Sequence, residues 1–414
     1  MNTAFLRVRN IKTFDSLRVQ AYRMYFFGMI GQWSTFSMEM VARTYLIYDI
    51  TGSTAKLAIM SLANAIPIIV LSLFGGAIAD KLSKKRLIML AQIAMSVVSL
   101  GNAIAINVGY LGSAHPESWW VLVVGAVCMG TIVALVMPSR QAIIPELVAQ
   151  SQIMNAISLN TMGMSFFQLV GPATAGFVID AFGYAVVFYI MTALNISGIV
   201  FAVFLPDVAP SQAPRRSVLS NVSDGFRYIL GHRTVLLLLA LFVSAILLAM
   251  PYQMLMPVFA KDILKVGVSG QGILMSVAGI GAFTASLVLA SLPSKKRGIT
   301  LLLANFLLGM ALVVFAFSVS WPLSIGMMLV VGMGLTGNNT AGAALLQSYT
   351  GPEYLGRVMS IMSMSFGLSG LGTFFAGMLA ESVSAQWAIG GLAATLVVIM
   401  LGVFLLLPRI RKLD

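Results

Sequence analysis

Apolar residues along this chain gather into runs of about 20 or more, each bounded by a short polar or charged interval. Twelve such runs are expected, at roughly 22–48, 55–79, 87–110, 119–143, 153–179 and 184–205, then 234–260, 270–292, 299–318, 321–346, 356–380 and 386–408. A helix of about 20 residues is long enough to cross the hydrocarbon of a bilayer, so each run predicts one membrane span. The longest polar interval, Pro206 to Arg233, divides six spans from six and holds Pro206, Pro210 and Pro214. The stretch after these prolines is expected to form an amphipathic helix on the membrane surface. The first run is too long for a signal-peptide h-region and lacks a small-residue cleavage site, so it is expected to be retained as span 1.

The two halves repeat. Ser83-Lys84-Lys85-Arg86 after span 2 recurs as Ser294-Lys295-Lys296-Arg297 after span 8, and Pro145-Glu146 before span 5 recurs as Pro352-Glu353 before span 11. Span 5 carries Gly171, Gly176 and Asp180, and span 11 carries Gly372, Gly377 and Glu381 at identical spacing. The expected organisation is an N-terminal six-helix bundle over 1–205, a cytoplasmic linker over 206–233 and a second bundle over 234–414. A parallel repeat of this kind places a binding cavity between the halves near the bilayer midplane.

Composition agrees with this pattern. Hydrophobic residues make up 59% of the 414 residues and charged residues only 9%, against roughly 25% charged in soluble domains. The 38 glycines suit helices that must approach closely where lipid gives no hydrophobic drive to pack. A net charge of +12 does not form a nucleic-acid face, because the basic residues sit in short runs between apolar stretches; anionic headgroups and the positive-inside bias account for them. With the N-terminus inside, 21 of the 25 Lys and Arg fall on the inner side and only Lys56, Lys261 and Lys265 on the outer, with Arg43 inside a span. The asymmetry puts both termini in the cytoplasm of a cell with this inner membrane. One cysteine, Cys128, allows no internal disulfide, and two loop histidines, His115 and His232, make a metal site or cofactor unexpected.

Between spans 2 and 3 stands Gly75-Gly76-Ala77-Ile78-Ala79-Asp80-Lys81-Leu82-Ser83-Lys84-Lys85-Arg86. It resembles the signature loop of the major facilitator superfamily, Gly-x-x-x-Asp-Arg/Lys-x-Gly-Arg/Lys-Arg/Lys, with Ser83 where the family has glycine. Thr51-Gly52-Ser53, the Pro138 to Glu146 stretch, Gly171-Pro172 and Pro352-Glu353-Tyr354-Leu355-Gly356-Arg357-Val358 extend the likeness to the branch of enterobactin exporters and macrolide efflux proteins. The resemblance implies the major facilitator fold, an all-α membrane protein with twelve transmembrane helices in two pseudo-symmetric six-helix bundles. It also implies gating residues at Gly76, Asp80, Lys81, Lys84, Lys85 and Arg86. Arg140, at the inner end of span 4, is placed to reach Asp80 or Glu146 in a cytoplasmic charge cluster, and Arg357 is a further gating candidate. Asp80 lies four residues after Gly76 on one helical face and is placed to meet the positive N-terminus of span 11, a contact that contributes up to about 2 kcal/mol when partly buried. In the family this contact closes the cytoplasmic side.

Two family features are incomplete. Drug–proton antiporters carry a span 4 arginine just before a glycine, whereas this chain has Gly130 and no arginine until Arg140. Their span 5 motif survives as Gly171, Pro172 and Gly176, an expected helix kink, but Phe167 replaces one glycine.

Charges inside spans are costly, usually face a cavity and mark function. Glu39 and Arg43 lie on one face of span 1 and are candidates for proton or substrate coupling. Gln32, Trp33, Asn64, Gln168, Tyr252, Gln253 and Asn338 are candidates to line the cavity, although interhelical amide hydrogen bonds alone would account for several of them. The 27 methionines repack around varied shapes, which suits amphipathic or lipophilic small molecules better than sugars or phosphates. The expected function is a secondary efflux permease, acting as a monomer on a small molecule and driven by protons. An uptake or facilitative permease and a non-transporting membrane sensor remain alternatives. An enzyme is disfavoured because no His, Cys and acid cluster recurs, and no phosphate-binding loop for an ATP-driven pump is present.

Overall fold

The computed structural model describes residues 12–81, 83–207, 218–291 and 296–413. The side chains of 72–81, which include Gly76, Asp80 and Lys81, lie outside the described residues. Long helices coincide with the expected spans: α1 (Gln20–Thr51), α2 (Thr54–Lys81), α3 (Lys84–Asn107), α4 (Trp120–Leu147), α5 (Ile153–Phe182) and α6 (Tyr184–Val203). After a linker helix (Val218–Gly231) come α7 (Arg233–Ala249), α8 (Gly267–Ser291), α9 (Arg297–Phe317), α10 (Trp321–Tyr349), α11 (Leu355–Ser382) and α12 (Ala385–Leu406).

Ten of these helices are long and apolar enough to cross a membrane, with α7 counted together with its continuation to Ile263. The two that fall short, α1 and α10, are 32 and 29 residues long but more polar. In α1 the polar residues point inward: Ser34, Thr35, Ser37, Glu39, Arg43 and Thr44 are all buried. A helix whose polar face is covered by neighbouring helices need not be apolar all round.

The seventh span is not one helix. It breaks at Met250–Pro251, resumes over Tyr252–Val258 and ends in a π turn at Phe259–Ile263, closed by Leu264 N–H donating to the Phe259 carbonyl at 2.8 Å. Pro251 has no N–H to give to the ladder, and Pro257, six residues on, removes a second donor. The expectation of an unbroken helix over 234–260 overlooked both.

Helix packing follows a consistent scheme. In the first half α2 packs on α4, α3 on α6, and α1 on α5 and α6; in the second α8 and α9 pack on α10, and α9 on α12. The halves meet where α5 lies along α8 and α2 along α11. Small residues set both lines of approach. A Cβ at Gly377 would sit 2.7 Å from the Ala58 Cβ, and one at Gly176 would sit 2.7 Å from the Val268 carbonyl. Ser61 of α2 donates its hydroxyl to the Gly370 carbonyl at 3.1 Å, and seven residues earlier the Thr54 hydroxyl oxygen lies 3.0 Å from the Gly377 carbonyl. Such interhelical bonds contribute about 0.6 kcal/mol each, so close backbone contact supplies most of the adhesion here.

Candidate functional site

Glu39 and Arg43 are placed by α1, one turn apart, among the buried Met38, Val41 and Ala42. Arg43 Nη1 lies 2.9 Å from Glu39 Oε1, an ion pair that lacks the alignment of a hydrogen bond, and the buried Arg43 Nε–H has no acceptor. Only 5% of Glu39 and 9% of Arg43 is exposed. The guanidinium is therefore under-satisfied, with donor capacity left for another acceptor. The next residue, Thr44, accepts at its Oγ1 from Gln271 Nε2 of α8 at 3.1 Å, so this stretch of α1 touches the other half.

The predicted cavity residues separate into groups. Trp33 stacks edge-on against Phe26 at 5.5 Å and lies on Gly163 of α5, which has no room for a Cβ. Gln32 is buried, donates to Met95 Sδ at 3.3 Å and keeps an unpaired Oε1. Gln168 is exposed on α5. Asn64 is half-buried on α2, where its carbonyl abuts Gly130 of α4. Tyr252 is buried beside Gln253, whose Nε2 lies 3.4 Å from its hydroxyl. Asn338 does not line an opening: it is 1% exposed and accepts from Asn305 at 3.0 Å between α9 and α10. Its amide joins two helices, the bland alternative for any polar residue in a span.

The segment Gly171, Pro172 and Gly176 serves packing. Helix α5 runs on through Pro172. A Cβ on Gly171 would collide with Ser37 of α1, and one on Gly272 of α8 would collide with the Pro172 carbonyl. Ala173 N–H, next to the proline, donates to Ser276 Oγ of α8 at 3.1 Å.

On the side of the α2–α3 turn, Ser83 caps α3 by accepting from Arg86 N–H at 3.3 Å. The departure from the family glycine thus has a local use, since serine is a stronger N-cap than glycine. Lys84 is buried and ion-paired with Glu146 of α4. The side chains of Lys85 and Arg86 form no ion pair among the described residues. Arg140 keeps its buried Nε and Nη2 without a hydrogen-bond partner among the described residues, while its carbonyl accepts from the Tyr25 hydroxyl at 3.2 Å. Arg357 faces the linker helix. It lies 3.5 Å from Asp224 of the linker helix and 5.0 Å above the Tyr354 ring. Tyr354 stacks on Tyr228 at 4.3 Å, and Tyr228 on His232 at 4.0 Å. This ladder fastens the linker helix to the start of α11, which sequence spacing did not indicate.

The opposite end, with the α1–α2 turn and the π turn after α7, holds residues that sequence reasoning did not name as functional. Asp49 pairs with Lys261 and accepts from Tyr184 at 3.3 Å, and the Tyr48 hydroxyl donates to Asp262. Both Lys261 and Asp262 belong to the second half, so these bonds tie the halves together. The available signal was the cluster of charges just beyond the ends of spans 1 and 7.

A bundle of long apolar helices with this connectivity is the framework of a major facilitator superfamily transporter. The chain belongs to the transmembrane secretion effector family of that superfamily, whose model matches residues 11–414. It is 25% identical over 366 residues to the staphyloferrin A transporter of Staphylococcus aureus, covering 86% of this chain and 89% of that protein. It is 26% identical over 400 residues to the multidrug efflux pump Tap of Mycolicibacterium fortuitum, covering 91% and 93%. A crystal structure of the nucleoside transporter NupG superposes with a TM-score of 0.71 at 14% identity, covering 96% of this chain and all of that one; this likeness shows the fold. The family and these relatives are transporters, not enzymes.

Proposed function

We propose that the chain is an efflux permease of the cytoplasmic membrane, moving a small amphipathic molecule of drug or siderophore type by alternating access. In this reading residues 1–205 and 234–414 are two six-helix bundles that rock about the α2–α11 and α5–α8 contacts. Both termini face the cytoplasm, and one chain suffices. Relatives that carry a siderophore or expel drugs support the substrate class, and the methionine-rich composition is compatible with it.

The observation that carries the coupling step is the buried, under-satisfied Glu39–Arg43 pair. While Arg43 faces Glu39 the carboxylate has its counter-charge. When a donor or cationic group of the substrate reaches the ionised Glu39 carboxylate, with the free Arg43 Nε–H taking an acceptor on the same molecule, Glu39 is held deprotonated. A proton on Glu39 in turn releases the substrate. Substrate and proton then compete for one site, which is the requirement for antiport. The test is a thermal-shift screen of the purified protein against citrate-type siderophores, macrolides and other amphipathic drugs, followed by counterflow of any hit in proteoliposomes. Counterflow abolished by Arg43→Gln supports the reading. Substrate-independent stability with no counterflow for any member of the panel points to the sensor alternative.

A further inference from the structure

The two helices that join the halves, α2 and α11, run antiparallel, and each ends in an acid: Asp80 near the end of α2, Glu381 near the end of α11. Only the second of these side chains is described, and it is fully engaged. Glu381 Oε2 accepts from Thr54 N–H at 2.8 Å, Thr54 Oγ1 at 2.7 Å and Ala55 N–H at 3.0 Å. The Ser53 hydroxyl reaches both carboxylate oxygens, at 3.2 and 3.3 Å. These donors are the first residues of α2, so an acid from the second half caps a helix of the first. The local sequence explains the opening. Gly52, at φ 61, ends α1 in the left-handed conformation that glycine tolerates, and Ser53 then starts α2 with its Oγ 3.4 Å from Lys56 N–H.

We infer that Glu381 is a latch on the outer side, the reciprocal of the one expected at Asp80. With the Asp80 contact that the family resemblance implies, each helix of the pair would offer its C-terminal acid to the N-terminus of its partner, one at each face of the membrane. Alternating access requires the two contacts to form in turn, and the outer one is closed in this structure. The Asp49–Lys261 and Tyr48–Asp262 contacts lie at the same end and close with it. The device is confined to α2 and α11. Asp180, the repeat-related residue at the end of α5, makes no hydrogen bond or ion pair among the described residues. The inference rests on the alternating-access reading, but its test needs neither a substrate nor a direction of transport.

Spin labels report the two faces separately in a Cys128→Ser background. Ser113→Cys with Val319→Cys spans the outer side, and Gln150→Cys with Glu353→Cys the inner. Glu381→Gln keeps the shape but weakens the acceptor, and should raise the outer-open population about fivefold, as expected for loss of a charged cap. Thr54→Val, which removes one donor and leaves the acid, should move it the same way and less. Asp80→Asn should move both distance distributions in the opposite direction. An outer distribution unchanged in both Glu381→Gln and Thr54→Val overturns the latch, as does a Glu381→Gln shift of the same sign as Asp80→Asn. If Asp80→Asn alone is silent, the inner-gate reading fails and the outer latch stands.

Discussion

Replacing Glu39 by glutamine leaves the Arg43 guanidinium, 9% exposed and already lacking an acceptor at Nε, without a counter-charge. Breaking a buried ion pair by removing one partner destabilises by about 3–5 kcal/mol, because the remaining charge is stranded. Arg43→Gln strands a carboxylate, which can bind a proton and so escape part of that penalty. Removing both charges strands nothing, and the double variant should lie within about 1 kcal/mol of wild type. The cycle of Glu39→Gln, Arg43→Gln and the double variant should therefore yield a coupling of at least about 3 kcal/mol. Equilibrium unfolding in mixed detergent and SDS micelles, followed by tryptophan fluorescence, gives the four stabilities. Two single variants that are each nearly neutral, with a double variant equal to their sum, would refute the reasoning. The pair would then be solvated in the native state and no switch could be built on it.

Ser83→Ala should cost about 1 kcal/mol through loss of the α3 cap, and Ser83→Gly only a few tenths; the same unfolding measurement ranks the two. Arg357→Ala removes both the Asp224 contact and the cation above Tyr354, and should expose the linker helix to limited proteolysis several times faster than wild type. Gly272→Leu forces a side chain against the Pro172 carbonyl. It should cost roughly 1–3 kcal/mol or separate α5 from α8, read as lost stability or as a longer spin-label distance between these helices.

The span pattern was legible because lipid imposes it: every expected run has a helix within a few residues of its limits. Only Pro251 and Pro257 interrupt this agreement, and a hydropathy pattern is blind to a missing N–H. The site was legible in part. Glu39 and Arg43 stood out because two charges one turn apart inside a span have few uses. Which amides line an opening could not be read, since Asn338 and Gln168 look alike in sequence and only neighbours from distant helices bury one and expose the other. The contact of Arg357 with Asp224 could not be read, because no local pattern encodes how the linker docks. Lys261 was counted as a stray outer charge because its partner Asp49 is 212 residues away.

The most direct test of the transport mechanism is flux in proteoliposomes with an imposed pH gradient, using a substrate that counterflow has identified. Wild type should drive the substrate toward the acidic side against its own gradient, and a protonophore should abolish this. Glu39→Gln should keep counterflow and lose the pH-driven accumulation. Accumulation by Glu39→Gln at the wild-type rate would contradict the account.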